Sequence, residues 1–112
     1  PIEQATISYG HGISANLMQL ARAYTIFASN GELKSISLLK MDNPARGRKI
    51  FSDRTVNSIR AMLEAVVNED GTAPLAQVSG YRVAGKTGTS HKLENGRYVK
   101  RYIASFVGFT PV

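Results

Sequence analysis

Apolar residues recur at helical spacing in two stretches of the chain. Because an α-helix turns once every 3.6 residues, side chains three and four positions apart share a face, and such a stripe indicates a helix packed on one side. The spacing predicts helices over residues 17–29 and 53–68, with Asn16 and Ser52 as their N-caps. The stripe of the first helix comprises Leu17, Leu20, Ala21, Tyr24, Phe27 and Ala28, and that of the second comprises Val56, Ile59, Leu63, Val66 and Val67.

The stretches around these helices favour loops and short strands. Residues 1–14 are rich in small and polar side chains and are predicted to form a loop that enters the first helix. After the Asn-Gly stop of that helix, two strands over 35–41 and 48–51 are expected to pair across a turn at 42–47. Residues 73–78 are predicted to form a further helical turn, with a proline near its start.

The last third of the chain reads as a long β-hairpin. Strands over 82–92 and 98–110 are joined by Asn95-Gly96, a dipeptide typical of tight hairpin turns. A helical part over about 14–78 is thus followed by antiparallel strands over about 81–112. This order indicates an α+β fold in which helices pack on an antiparallel sheet.

Composition narrows the class of protein. The chain has 112 residues, 43% of them hydrophobic, which suits one small domain or part of a larger one. It contains no cysteine, which excludes a disulfide framework and a thiolate metal site. No apolar run approaches membrane-spanning length, and no segment has the pattern of a signal peptide. The net charge is +6, with much of the excess around the hairpin, and a basic face of this kind is either solvated or binds a polyanion.

The candidate chemistry lies at Lys86-Thr87-Gly88-Thr89, in the first strand of the predicted hairpin. A fixed cation beside two hydroxyls suits a carboxylate, because the cation supplies charge and the hydroxyls supply directed donors. A glycine inside a strand often marks the close approach of a ligand or of another backbone. Strict alternation places the lysine on the face opposite the two threonines, so either the strand twists there or the lysine reaches around its edge.

This segment resembles the Lys-Thr-Gly element of penicillin-recognising serine enzymes, whose other elements are Ser-x-x-Lys and Ser-x-Asn. Three further stretches look like the corresponding region of class B penicillin-binding proteins, in the same order and at similar spacing: Tyr9-Gly10-His11-Gly12, Gln19-Leu20-Ala21-Arg22-Ala23-Tyr24 and Ile103-Ala104-Ser105-Phe106-Val107-Gly108-Phe109. The resemblance covers essentially all of the chain and points to the division-specific, septal type.

The resemblance implies that residues 1–112 are the C-terminal part of a transpeptidase domain with the β-lactamase-like fold. The parent enzyme would be a serine D,D-transpeptidase that cross-links peptidoglycan stem peptides through an acyl-enzyme. β-Lactams would acylate the same serine. The parent would therefore be an antibiotic target, and changes in it would be a source of resistance. This 112-residue chain alone is expected to be inactive.

The family also implies a role for each residue of the quartet. Lys86 would set the electrostatic field and help proton handling, and the Thr89 backbone N–H would be one oxyanion donor. Thr87, Gly88 and Thr89 would bind substrate: the hydroxyls would hold its carboxylate, and the glycine would keep the strand clear. No nucleophile is assigned to this chain, and neither a metal nor an organic cofactor is implied.

Two short patterns imitate the other family elements. Ser37 and Lys40 match Ser-x-x-Lys, and Ser14 and Asn16 match Ser-x-Asn. The first pair falls in a predicted strand, where an odd spacing sends the side chains to opposite faces, whereas the family motif works on one face of a helix. The second pair is explained as a helix entry. The family order also differs, so the true elements are expected upstream of these residues.

The implied partners follow from the family. They are the D-Ala-D-Ala end of a stem peptide, β-lactam antibiotics, the remainder of the same domain and the septal wall-synthesis proteins, with no nucleic acid. The implied location is the periplasmic face of the bacterial inner membrane, with an anchor upstream of this chain.

Several alternatives remain open from the residues. A D,D-carboxypeptidase or a β-lactamase relative would use water as the acyl acceptor. A basic nucleic-acid-binding module would use cations beside stacking aromatics on the second hairpin strand, namely Arg97, Tyr98, Lys100, Arg101 and Tyr102. His11, between two glycines, is a candidate general base that lacks an orienting carboxylate nearby in the sequence.

Overall fold

The computed structural model describes residues 2–8, 10, 12–44 and 46–112. The helices are α1 (Ile2–Ser8), α2 (Leu17–Ala28) and α3 (Asp53–Ala65), followed by a 3-10 turn at Pro74–Ala76 within the predicted helical turn. The strands are β1 (Glu32–Leu33), β2 (Arg48–Lys49), β3 (Ala84–Glu94) and β4 (Arg97–Phe109). The α+β prediction is confirmed. His11 and Tyr9, both named in the sequence analysis, lie outside the described residues.

The loop predicted for residues 1–14 is wrong over its first half, where α1 forms. That stretch contains no glycine or proline after its first residue, and the Ser8 hydroxyl donates to the Ala5 carbonyl over 2.6 Å within the helix. The chain then leaves the helical path at Gly10, whose φ is +86°. Small and polar side chains are compatible with a short helix when no residue interrupts it.

Both predicted N-caps are present. Asn16 Oδ1 accepts from the Gln19 N–H over 2.8 Å, and Gln19 Oε1 accepts from the Asn16 N–H over 2.9 Å, which is a full capping box. Ser52 Oγ accepts from the Thr55 N–H over 3.2 Å at the start of α3. Each cap satisfies a backbone donor that the helix itself leaves unpaired. Local hydrogen bonding therefore fixes where α2 and α3 begin.

The end of α2 is held by a glycine in close contact with two other elements. Gly31 has a φ of +84°, and its N–H donates to the Ile26 carbonyl over 2.7 Å. A Cβ at this position would overlap the Phe51 carbonyl oxygen and lie 3.0 Å from Cγ2 of Val56. Both the left-handed backbone and the space available require glycine here.

The strand predicted over 35–41 is wrong, because the strand that pairs with β2 is β1, at Glu32–Leu33. The Ser37 hydroxyl donates to the Leu39 carbonyl over 2.7 Å and accepts from the Leu39 N–H over 3.1 Å, a local turn that competes with a strand. Leu38 and Leu39 are 90% and 81% exposed, so this stretch has no buried face. The turn predicted at 42–47 is therefore one part of the long connection between β1 and β2.

The predicted hairpin is confirmed. β3 and β4 pair antiparallel, with Lys86 opposite Val107 and Thr89 opposite Ala104. Asn95 and Gly96, with φ of 51° and 75°, form the tight turn. A register shift between His91 and Leu93 marks a bulge near the tip.

The core lies where α3 meets the beginning of β3. Its buried apolar side chains are Val56, Leu63, Val67 and Ala84. The first three belong to the predicted stripe of the second long helix. Val67 lies just past the observed end of α3 in a tight turn, its N–H donating to the Glu64 carbonyl over 3.0 Å. On α2, Leu20, Tyr24 and Phe27 are half-buried, whereas Leu17 is 83% exposed. Burial also raises the pKa of the Tyr24 hydroxyl.

Ionic contacts tie α3 to the chain before β3. Both Nε and Nη2 of Arg82 donate to the Glu64 carboxylate, over 2.7 and 2.8 Å. This bidentate pairing raises the pKa of the Arg82 guanidinium. The Thr110 hydroxyl also donates to the Arg82 carbonyl over 2.9 Å, which joins the end of β4 to the same point. In the described part of the chain, no helix is both long and apolar enough to cross a membrane.

Candidate active site

The quartet Lys86-Thr87-Gly88-Thr89, called the 86–89 segment below, lies in β3 directly after its buried beginning. Ala84 is fully buried against α3, and Gly85 packs so closely on the Phe106 ring that a Cβ there would overlap the ring. The strand is thus held firmly just before the segment. The segment emerges from the core with little freedom to shift.

The backbone of the segment presents hydrogen-bonding groups at an open edge. Ser105 Oγ donates to the Gly88 carbonyl over 3.3 Å, so this carbonyl faces β4. Because successive residues of an antiparallel strand direct their backbone groups to alternate edges, the N–H and C=O groups of Thr87 and Thr89 point to the other edge. Within the residues that the structure describes, β3 pairs with β4 alone. The outer edge therefore presents backbone donors and acceptors that an extended ligand can use.

Lys86 extends to this edge. Its Nζ donates to the Thr87 carbonyl oxygen over 2.9 Å, and that carbonyl lies on the outer side. Of the two arrangements that alternation left open, the structure shows the lysine reaching to the strand edge. The ammonium group and the backbone donors therefore lie at one edge.

Gly88 is closely packed on its β4 side. A Cβ added at this position would lie 2.9 Å from Oγ of Ser105, inside normal contact distance. The glycine thus serves the fit of the two hairpin strands. The sequence predicted a ligand or another backbone at this glycine, whereas the atom found close to it is a side-chain oxygen.

A fifth residue, Thr72, joins the segment and was not singled out from the sequence. Its Oγ1 lies 3.1 Å from Oγ1 of Thr87, at hydrogen-bonding distance, although 15 residues separate the two in the chain. From the sequence, Thr72 lies between the helix predicted over 53–68 and the helical turn predicted over 73–78. Nothing in the local pattern connects that position to β3, because the contact depends on how α3 packs against the hairpin.

The two patterns that imitate Ser-x-x-Lys and Ser-x-Asn do not form catalytic arrangements in the structure. Ser37 and Lys40 lie in irregular chain, so the strand used to separate them is absent, and so is the helical arrangement that the family motif needs. Asn16 is the N-cap of α2, as expected of a helix entry, and Ser14 precedes it in irregular chain. The described residues bring neither serine into contact with Lys86.

A groove lies beside the hairpin, beginning at Ser90, the residue after the segment. It runs between the chain that precedes α2 and the distal half of the hairpin. Its lining includes Ser14, Ser90, Leu93 and Tyr98. No cluster of three or more His, Cys, Asp or Glu side chains that could hold a metal ion occurs among the described residues.

Comparison with known proteins gives consistent results. The family model described as penicillin binding protein transpeptidase domain matches residues 2–112. A relative from Neisseria meningitidis, the probable peptidoglycan D,D-transpeptidase PenA, is 42% identical over 99% of this chain and 19% of its own length. The peptidoglycan D,D-transpeptidase FtsI of Escherichia coli is 39% identical over 98% of this chain and 19% of its own length.

A solved structure agrees with these relatives. The apo transpeptidase (TP) domain of penicillin-binding protein 3 from Burkholderia pseudomallei is 50% identical and superposes with a TM-score of 0.90, covering 98% of this chain and 34% of that one. The chain therefore spans about a fifth of the length of these curated relatives and about a third of the solved domain.

Proposed function

Because the chain belongs to the penicillin-binding protein transpeptidase domain family, we propose that it is part of a serine D,D-transpeptidase that cross-links peptidoglycan. Residues 1–112 would form one part of that domain, with a helical part over about 14–78 and the hairpin over about 81–112. Two observations support this proposal: the family match over residues 2–112, and the 86–89 segment on an open strand edge that the lysine ammonium reaches.

The segment would bind the end of the stem peptide. The carboxylate of the terminal D-alanine would lie at the outer edge of β3, near the ammonium of Lys86 and the hydroxyls of Thr87 and Thr89. The outward direction of the Thr89 N–H favours its use as an oxyanion donor, with the N–H of the nucleophile as the other. Gly88 would leave the strand clear for the substrate backbone.

The reaction would proceed in two steps. A serine oxygen, outside residues 1–112, would lose its proton to a base and form an ester with the carbonyl carbon of the penultimate D-alanine. The bond to the terminal D-alanine would break, and that amine would leave with a proton. The amine of a neighbouring stem peptide would then attack the ester carbonyl and form the cross-link, the ester C–O bond would break, and the proton lost by that amine would pass to the serine oxygen.

We infer the location and partners of the parent protein from its relatives. FtsI and PenA are named as peptidoglycan D,D-transpeptidases, which supports a role for the parent protein in wall synthesis at the septum. The parent would then act on the periplasmic face of the inner membrane, beside other septal wall-synthesis proteins. β-Lactams would acylate its serine.

Two other functions have less support. A D,D-carboxypeptidase or β-lactamase would use the same segment with water as acceptor, but the matched relatives carry the transpeptidase name. A nucleic-acid module would need unpaired cations on β4. Arg101, one of those proposed, already donates to Glu94 over 2.7 Å, which lowers its availability.

The test is acylation of the longer parent protein by benzylpenicillin, with the adduct mapped by mass spectrometry. We expect one penicilloyl group on a serine outside residues 1–112, and competition by a D-Ala-D-Ala peptide. Heat-denatured parent is the matched control and should carry no adduct. An adduct on Ser37 would overturn the assignment of the nucleophile, and folded parent that stays unmodified would contradict the transpeptidase proposal.

A further inference from the structure

The hydroxyl of Thr72 lies in a rigid turn rather than on a mobile loop. Gly71 N–H donates to the Asn68 carbonyl over 2.8 Å, and Ala73 N–H donates to the Val66 carbonyl over 2.9 Å. A Cβ at Gly71 would overlap the carbonyl oxygens of residues 65 and 66, so the turn lies directly on the end of α3. Thr72 is thereby held between two anchored neighbours. Its position is set by the packing of α3.

That position brings Thr72 Oγ1 to 3.1 Å from Oγ1 of Thr87. A threonine hydroxyl has one hydrogen to donate and two lone pairs to accept with. In a pair of hydroxyls, one must donate and the other must accept. The direction of this bond therefore decides whether Thr87 keeps its own hydrogen for a third group.

A carboxylate can only accept hydrogen bonds. If Thr87 donates its hydrogen to a substrate carboxylate, the bond between the two threonines must run from Thr72 to Thr87. Thr72 then holds the Thr87 oxygen as an acceptor and leaves its hydrogen directed away from the turn. Without Thr72, the Thr87 hydroxyl is free to rotate and to donate elsewhere.

We propose that Thr72 is a positioning residue for the reaction, which orients the Thr87 hydroxyl toward the substrate carboxylate. This inference rests on the proposed function, because it needs a carboxylate at the 86–89 segment. It adds to the segment a side chain from the turn after α3. The turn and the strand thus form one hydrogen-bonded unit.

The experiment measures the second-order acylation rate of the parent protein by benzylpenicillin and by its methyl ester, which has no carboxylate. Thr72→Val removes the hydroxyl and keeps the shape, and Thr72→Ser keeps the hydroxyl. We expect Thr72→Val to slow acylation by the free acid roughly two- to tenfold, the range for loss of one hydrogen bond. The ester should react with this variant at the wild-type rate, and Thr72→Ser should behave as wild type with both compounds.

A double-mutant cycle with Thr87→Val tests whether Thr72 acts through Thr87. If it does, Thr72→Val adds no further loss in the Thr87→Val background. Should Thr72→Val fail to fold, Thr72→Ala removes the same hydroxyl and replaces it in both comparisons.

The outcomes separate this inference from the proposed function. Wild-type parent that forms no adduct would overturn both. Wild-type parent that is acylated while Thr72→Val matches it on the free acid, or loses rate equally on the ester, would overturn the positioning role alone. Additive losses in the cycle would also overturn it.

Discussion

At the scale of single residues, Lys86 carries the only side-chain charge of the 86–89 segment. Its Nζ lies at the strand edge, where it contacts the Thr87 carbonyl and is open to solvent. A cation there has two consequences: it attracts a carboxylate, and it stabilises negative charge that develops on a nearby oxygen. Both effects depend on the location of the charge.

We therefore expect Lys86→Ala to lower the acylation rate of the parent by about 100-fold, the scale observed when one electrostatic stabiliser of an oxyanion is removed. Lys92→Ala is the matched control, because it removes the same charge from the same strand beyond the segment. The measurement is the rate of adduct formation with benzylpenicillin. Equal losses in the two variants would indicate that only net charge matters.

At the scale of elements, the contacts that hold β3 in place are made by residues without reactive groups. Gly85 allows β3 to pack on Phe106, and Gly31 allows the end of α2 to approach Val56 of α3, the helix on which β3 begins. The Arg82–Glu64 pair then joins α3 to the chain just before β3. Substrate-binding groups need such anchoring, since small displacements weaken positioned hydrogen bonds.

Gly31→Ala is expected to destabilise the parent by about 3 kcal/mol or more, from a left-handed backbone cost of about 1–2 kcal/mol plus the clash with the Phe51 carbonyl. Gly80→Ala is the control, because Gly80 has a similar φ of +80° but no atom within 4 Å of an added Cβ. It should lose only the backbone part. The free energy of unfolding in urea gives both values, and identical losses would show that the close approach at Gly31 contributes nothing.

At the scale of the whole molecule, many large apolar side chains of the described residues are exposed. Leu38 is 90% exposed, Leu17 is 83% exposed, and Leu75 is fully exposed. The outer edge of β3 adds a row of backbone groups that is open to pairing. In the matched relatives, about four fifths of the protein lies outside the aligned region and is available to cover such surfaces.

The isolated 112-residue chain is therefore expected to self-associate and to form no penicillin adduct, whereas the parent remains monodisperse and is acylated. Sedimentation velocity and intact-mass spectrometry on the two proteins test this. A monomeric isolated chain that binds penicillin covalently would contradict the expectation, and its adduct site would identify a nucleophile within these residues.

The sequence alone determined the parts of this protein that depend on neighbours along the chain. The N-caps at Asn16 and Ser52, the Asn95-Gly96 turn and the α3 stripe were predicted because hydrogen bonds and side-chain spacing within a few residues specify them. The family was recognised for a similar reason, since Lys86-Thr87-Gly88 and the stretches around it are continuous in the chain. The strand predicted over 35–41 was wrong because the Ser37 hydroxyl forms a local turn and β1 lies just before it.

Only the tertiary structure decided the features that join distant residues. It brought Thr72 to Thr87 and placed Gly31 against Phe51. The first contact depends on how the turn after α3 packs against the hairpin, and the second on how the end of α2 meets the chain before α3. The packing energy behind both is shared among many side chains rather than carried by a local pattern. Sequence spacing therefore identified the chemical groups of the segment, and packing determined which of them meet.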